Sequence, residues 1–344
     1  MKYSKLTDYD YQLPEELIAQ KPLESRDQSR MMILNKEDGS ITHSTFNQFP
    51  ELMEEGDLLV LNNTKVIPAR LVGKIEGKTA SAELLLLYKL VTGHWLAMVK
   101  PGKKLKPGVK VVFEKGVEAE IMDAAREGLR VVSFNCQEPL EKVLPEIGKV
   151  PLPPYIESEI EDPDLYQTVY AQVEGSAAAP TAGFHFTEKM LNVLRNKGVR
   201  IAYITLHIGP GTFQPVKAED IRDHIMHFEY YNIEAKAIRL LNMARNEGKK
   251  VIPVGTTVTR VLETIADDKG KIDSGQKGWT NLYIYPGYEF KVVDAMLTNF
   301  HLPQSTLLML VSALAGYENT MAAYREAVEE RYRFFSFGDC MLIM

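Results

Sequence analysis

The sequence has little cysteine: two residues in 344, Cys136 and Cys340, far apart and without a CxxC. This excludes a disulfide framework and a thiolate zinc site, and it fits a reducing compartment. Long hydrophobic runs are also missing. The longest, Leu307 to Leu314, is broken by Ser312 and falls far short of the ~20 residues a bilayer crossing needs. The first residues carry Asp8, Asp10, Glu15 and Glu16 where a secretion signal needs an apolar stretch. A cytoplasmic protein with no membrane partner is therefore expected. Positive charge is in deficit, 40 Lys+Arg against 46 Asp+Glu, a net −6. Any nucleic-acid partner must then be held by a local basic patch, because the whole molecule does not attract phosphate. No Walker A loop, no GxGxxG, no internal repeat and no low-complexity segment is present.

What is present is the texture of a globular chain, 45% hydrophobic and 25% charged. At roughly 150 residues per domain, the length suggests about two domains. Pro14 with Glu15 and Glu16 suits a short helix through Ala19, and Met31–Leu34 and Leu58–Leu61 are apolar runs of buried-strand type. From Ala69 the pattern changes. Strand candidates at Ala80–Leu90, His94–Val99, Val109–Phe113, Val117–Ile121 and Leu129–Phe134 alternate with Gly- and Pro-containing turns. Short strands with regular turns predict a small barrel or sandwich. Val150–Tyr155 reads as its exit linker and Glu157–Asp164 as a solvated acidic loop. Strands and helices then alternate: strand Arg200–Leu206, a helix capped by Asn232 and running to Arg245, strand Val251–Val254, helix Val258–Ala266, strand Leu282–Tyr285, and an apolar helix capped by Ser305 and ended by Gly316. The expected fold is an α/β main domain (1–68 and 152–344) interrupted by an inserted all-β, barrel-like domain (69–151).

Five features carry candidate chemistry. Gly255, Thr256 and Thr257 stand between a strand and a helix, where freed N–H groups and the helix dipole favour an anionic or hydroxyl-rich ligand; a plain capped connection gives the same pattern. Five of seven histidines lie in the C-terminal half. His224, His227 and Glu229 could ligate a metal in a hydrolase, or serve as hydrogen-bonding and acid/base groups, since the helix-borne HExxH arrangement is lacking. Thr181–Phe186 places His185 between Phe184 and Phe186 after a run of small residues; this is either a purine-stacking loop or a tight core turn. In Leu297–Ser305, polar Thr298 and Asn299, then Phe300 and His301, precede an apolar helix that must be buried, so its N-terminus is expected to open onto a pocket; a capping segment whose His301 satisfies a backbone carbonyl gives the same pattern. Six lysines between Lys100 and Gly116, with Glu114 the one acid, form the main basic island; they either grip phosphates or guard a sheet edge.

Taken together and in order, these segments resemble one family. Asn62–Arg70, Ala178–Gly183, Leu206–Gly209, Gly211–Phe213, His224–Glu229, Val254–Thr257, Tyr285–Tyr288, Asn299–Pro303 and Arg333–Asp339 are similar to the signatures of S-adenosylmethionine:tRNA ribosyltransferase-isomerases, as are Leu17–Gln20 and Arg26–Arg30. The resemblance runs from about residue 10 to the last residues. It implies a step in queuosine synthesis. The ribosyl part of S-adenosylmethionine moves onto a tRNA whose wobble base is 7-aminomethyl-7-deazaguanine, giving epoxyqueuosine-tRNA, adenine and methionine. S-adenosylmethionine is then a consumed substrate, with no cofactor and no metal, and the expected state is a monomer. Such chemistry needs a base for the carbon beside the sulfonium; His227, Glu229 and His301 are the candidates. The S-adenosylmethionine side comprises Thr181, Gly183, Phe184, His185, His207, Gly255, Thr256, Thr257, Asn299 and Phe300, with Phe184 or Phe300 stacking on adenine. The tRNA side comprises Arg26, Arg30, Asn62, Asn63, Arg70, Lys103, Lys104 and Lys106. A non-catalytic RNA-binding protein is the further alternative.

Overall fold

The computed structural model describes residues 2–125, 128–157, 162–209, 216–273 and 275–344. The Gly211–Phe213 motif and positions 158–161 of the acidic loop lie outside them. In chain order the strands and α-helices begin with β1 (Arg30–Leu34), β2 (Ile41–Thr45), β3 (Leu58–Asn62) and β4 (Thr64–Val66). There follow β5 (Arg70–Ile75), β6 (Ser81–Lys89), β7 (Trp95–Lys100), β8 (Lys110–Val112), β9 (Glu118–Ala124), β10 (Arg130–Asn135), α1 (Leu140–Ile147) and β11 (Gly148–Lys149). The chain continues through β12 (Val173–Ser176), α2 (Glu188–Asn196), β13 (Arg200–His207), β14 (Glu229–Ile233), α3 (Ala235–Asn246), β15 (Val251–Pro253) and α4 (Thr256–Ile265). It closes with β16 (Gln276–Thr280), β17 (Met296–Asn299), α5 (Thr306–Ala315), α6 (Tyr317–Glu329) and β18 (Cys340–Ile343).

The β-rich middle closes on itself. Strands run β5-β6-β7-β10-β9-β8, each antiparallel to its neighbour, and β8 returns to β5 through Lys74↔Val112 and Ile75↔Val111. β11 covers the first residues of β5. Alternation explains the closure: along β6, Ala82, Leu84 and Leu86 are buried while Ser81, Glu83 and Leu85 are more open. With Leu71, Ala97, Val111, Ile121 and Val132 they fill the interior, and a closed ring leaves few exposed edges.

The other strands form the α/β part, so the fold is a main α/β body with an inserted barrel. A five-stranded sheet runs β15-β3-β13-β14-β16, with β15, β3 and β13 parallel and the last two antiparallel. β3 is buried throughout because both faces are covered. Leu58 and Val60 pack with Ile238, Leu241, Val258 and Leu262 of α3 and α4. Leu59 and Leu61 point the other way, onto Phe46, Phe49, Leu191 and Leu194. A second sheet, β17-β18-β1-β2, joins distant parts of the chain through Met31↔Cys340 and Asn299↔Cys340. The apolar α5 is buried beneath it, and Ser305 accepts the Leu308 N–H at 3.2 Å as its cap.

Three expectations need correction. Asn232 is not a helix cap: it pairs with Thr205 and Lys277 inside β14, and the helix begins at Ala235. Leu282–Tyr285 is not a strand. The sheet edge is already taken by β16, and this segment spends its backbone elsewhere: Leu282 N–H donates to Thr280 and its carbonyl accepts from Arg260 Nε at 2.9 Å. Residues 15–19 form only a 3-10 turn over Glu15–Leu17. Gly316 ends α5 but also opens α6, turning the chain at φ 82° where a side chain would be strained. Among the described residues, no helix is long and apolar enough to cross a membrane.

Candidate functional site

A pocket forms where several strands hand over to loops. At the end of β15, the Val254 N–H donates to Val60 O at 2.9 Å and the Gly255 N–H to Leu297 O at 2.7 Å. Gly255 then turns at φ 89°, a conformation that glycine adopts without a Cβ clash, and α4 starts at Thr256. Thr256 and Thr257 wall the pocket beside the open N–H groups of the first helical turn, whose partial positive charge suits an anion or hydroxyls. Thr259 turns inward and donates to Gly255 O at 3.2 Å. The opposite wall comes from the β17 exit, Thr298 to Leu302, and the remaining walls from Ala179–Ala182, Ile208, Tyr155, Phe335 and Ser336.

Two buried hydrogen-bond chains set this wall. Asn299 donates through Nδ2 to Phe335 O at 2.9 Å, so its Oδ1 faces His185 Nε2 at 3.1 Å and accepts from it. His185 Nδ1 is then the acceptor for the Ser29 hydroxyl at 2.7 Å. Burial pushes this imidazole down to about 4, which keeps it neutral. His301 has its Nε2 2.9 Å from Thr298 Oγ1, donates its backbone N–H to the Tyr324 hydroxyl at 3.1 Å, and has its carbonyl held by Tyr11. Burial lowers its pKa to about 3. Phe335 sits at φ 69°, in the left-handed region that costs a non-glycine residue energy. Its carbonyl is the acceptor for Asn299, its ring lies 4.6 Å from that of Tyr155, and Tyr155 Oη is 2.8 Å from Ser336 Oγ.

The pocket therefore gathers Thr181, Gly255, Thr256, Thr257, Asn299, Phe300 and His301 from the expected set. It does not gather the rest. Gly183 is a packing glycine: an added Cβ would lie 2.0 Å from the Tyr170 hydroxyl. Phe184 is buried between Phe337, stacked at 5.9 Å, and the Arg26 guanidinium at 5.1 Å, so no face is left for adenine. The Phe300 ring has no solvent exposure and packs on Tyr324, Tyr332 and Phe334. Tyr155 and Phe335 line the wall as well, outside the expected set. His207 lies outside it, with Nδ1 2.8 Å from Thr64 Oγ1, its ring over Gly175 and its pKa lowered by burial.

Glu229 is buried in an ion pair, Oε2 to Arg260 Nη1 at 2.6 Å, and its Oε1 accepts the Gly209 N–H at 3.2 Å. It holds the strand end that carries Ile208 into the pocket. Arg260 Nη2 is buried without a hydrogen-bond partner among the described residues. His227 lies between the exposed Ile225 and Phe228, and it does not line the pocket. His224 is lowered by burial and by the neighbouring charge of His227. Among the described residues no group of three or more His, Cys, Asp or Glu is placed to hold a metal ion, so His224, His227 and Glu229 do not form the ligand set of the hydrolase alternative.

The proposed tRNA contacts divide similarly. Asn62 is buried and internal, donating to Leu206 O at 3.0 Å and accepting the Thr64 and Leu206 N–H groups. Asn63 accepts from the Thr205 hydroxyl at 2.8 Å. Arg26 donates to the carbonyls of Gln167 and Leu165 at 2.7 and 2.8 Å. Arg30 stacks over Tyr332 at 3.8 Å and donates to Glu330 O. These four brace the structure. Arg70 is on the barrel surface beside Glu83 at 2.8 Å, and Lys103, Lys104 and Lys106 are exposed there. Tyr155, Phe335, Ser336 and Arg260 were not singled out from sequence. Phe335 and Ser336 lie inside the Arg333–Asp339 motif, whereas Tyr155 closes a proline-rich stretch and Arg260 sits in an apolar helix; nothing local marked either.

A ligand pocket at the strand ends of an α/β body with an inserted barrel defines the class as an enzyme-like two-part α/β protein. Residues 6–343 match the family model described as queuosine biosynthesis protein, and the chain belongs to that family. It is 51% identical over 341 residues to the S-adenosylmethionine:tRNA ribosyltransferase-isomerase of Desulfitobacterium hafniense, covering 99% of this chain and 100% of that protein. The crystal structure of S-adenosylmethionine tRNA ribosyltransferase from Thermotoga maritima is similar at a TM-score of 0.56 and 39% identity, covering 98% of this chain and 100% of that one.

Proposed function

We propose that this protein is a transferase-isomerase of queuosine biosynthesis. It moves the ribosyl moiety of S-adenosylmethionine onto the 7-aminomethyl-7-deazaguanine wobble base of tRNA, releasing adenine and methionine. One observation carries the reading: Ala179–Ala182, Gly255–Thr257, Thr298–Leu302 and Phe335–Ser336 are remote in sequence yet wall one pocket, and each falls in or beside a motif of the family resemblance. The activity named for the full-length relatives supports it. S-adenosylmethionine is a consumed substrate in this reading and no cofactor is required. We place the protein in the cytoplasm as a monomer, with 69–151 as the inserted domain.

Three tasks fall to the residues. The carbon beside the sulfonium must lose a proton, and the positive sulfur stabilises the carbanion left behind. Of the three candidate bases, His301 lines the pocket, and we assign the task to it. Position carries the assignment: the ring lines the pocket and Thr298 on Nε2 fixes its orientation. Glu229 becomes a positioning residue, because its carboxylate is committed to Arg260 and Gly209. The α4 N-terminus with Thr256 and Thr257 takes the methionyl or ribosyl end, and Tyr155 and Phe335 offer faces to the departing adenine. The lysine island of the barrel and Arg70 face the tRNA phosphates.

Purified protein incubated with S-adenosylmethionine and precursor tRNA tests this. One adenine per modified tRNA is the expected product. His301→Gln lowers turnover by about 10²-fold or more with S-adenosylmethionine affinity kept within a few-fold. Absence of adenine from the wild-type reaction overturns the assignment, and a near-normal rate in His301→Gln overturns the role given to that ring.

A further inference from the structure

One surface of the main body is left unexplained by the pocket. Strand pairing aligns His207, Tyr230 and Trp279 in one row and Thr205, Asn232 and Lys277 in the next, across β13, β14 and β16. Side chains alternate along a strand, so all six share one face, while Leu206, Tyr231 and Ile233 point to the helices on the other. The row is made of rings. His207 and Tyr230 are nearly parallel with centroids 6.0 Å apart, Tyr230 and Trp279 meet edge to face at 5.5 Å, and Tyr88 of the barrel extends the row 4.8 Å beyond Trp279. Trp279 is 44% exposed, a large apolar surface to leave in water. The row begins beside the pocket, because Ile208, the residue after His207, lines it.

We propose that this face is a stacking platform for unpaired nucleotides of the tRNA anticodon loop, next to the wobble base held in the pocket. The inference rests on the function proposed above. Charge selects the occupant: of the six residues of the face Lys277 is a cation and none is an acid, in a chain of net charge −6, which suits a phosphodiester strand. Ring chemistry also fits the partly exposed Tyr230 and Trp279, since aromatic faces on a sheet take bases by stacking and accept any base identity, while His207, its ring against Gly175, closes the row at the pocket end. A wobble base extruded into the pocket leaves its neighbours unstacked at the rim, where this row offers them partners.

Binding of the precursor anticodon stem-loop tests the platform. Trp279→Leu, which keeps an apolar side chain but removes the ring system, weakens the stem-loop by about tenfold or more. Trp279→Phe recovers most of the loss, and S-adenosylmethionine binding stays unchanged in both. Because the lost interaction is uncharged, Trp279→Leu leaves the salt dependence of binding intact, whereas Lys277→Ala lowers its slope by about 0.7–0.9. Stem-loop binding to wild type quenches Trp279 emission, a change absent from Trp279→Phe, in which buried Trp95 is the remaining tryptophan. Wild-type affinity in Trp279→Leu overturns the platform. So does loss of a dimer on sizing with tRNA affinity intact, which assigns the face to a second copy. Failure of wild type to release adenine is a separate result and strikes the function instead.

Discussion

Lowering the pH from 7 to 5 probes the two buried rings that set the pocket wall. Burial depresses His185 to about 4 and His301 to about 3, while an unfolded chain titrates histidine near 6.5. Between those values the unfolded state binds more protons than the native state. Stability is therefore full above the unfolded value and is lost as pH falls through about 6.5 toward 4 and 3. Linkage over this step gives about 2 kcal/mol for each ring, or about 4 kcal/mol together, a large share of the 5–15 kcal/mol that holds a typical domain. Neither ring is exposed enough for solvent to screen the effect, at 3% and 8%. Urea unfolding at pH 7 and pH 5 measures it. In His185→Gln the drop between the two pH values shrinks by about 2 kcal/mol relative to wild type, because groups common to both proteins cancel in the comparison. Equal drops in wild type and variant would refute the argument. Proton NMR gives an independent check: the His185 and His301 ring protons hold constant shifts above pH 5.

Three further outcomes follow from contacts already described. Glu229→Gln strands the Arg260 charge in a buried site and lowers stability by about 3–5 kcal/mol in denaturant unfolding, while Glu229→Leu with Arg260→Met recovers most of it. Gly183→Ala pushes a methyl against the Tyr170 hydroxyl and lowers Tm, and Tyr170→Phe restores part of the loss, so the two changes are non-additive in thermal unfolding. Replacing Lys103, Lys104 and Lys106 with alanine weakens tRNA binding and reduces its salt slope by about 2–3, read from affinities at several salt concentrations.

The barrel was legible because its strands alternate and its turns carry glycine and proline. The parallel strands were legible as short apolar runs. Element edges near polar residues were not. Asn232 has cap chemistry, yet strand partners on both sides claim it, and no local pattern reveals a partner some 45 positions away at Lys277. α6 was not legible at its start, because Gly316, which reads as the stop of α5, also opens it and no capping side chain marks its first turn. The pocket was partly legible: the Gly255 turn and the loop before an apolar helix both predict an opening, and both line it. What sequence could not separate was a polar side chain that meets a ligand from one that satisfies a buried backbone. Asn62, His185 and Glu229 belong to the second kind, and only their neighbours distinguish them.

The sheet that joins β1 to β18 has a consequence for biosynthesis. Asn299, on the pocket wall, is seated by β18, and β18 is seated by β1; the Arg30 carbonyl accepts from the Cys340 thiol, 310 positions away. Loop closure over such a span is entropically slow, and no nascent chain that stops short of Cys340 can assemble the wall. The emerging polypeptide thus passes through translation without a finished cleft, and competence to engage its small-molecule substrate arrives in one late step.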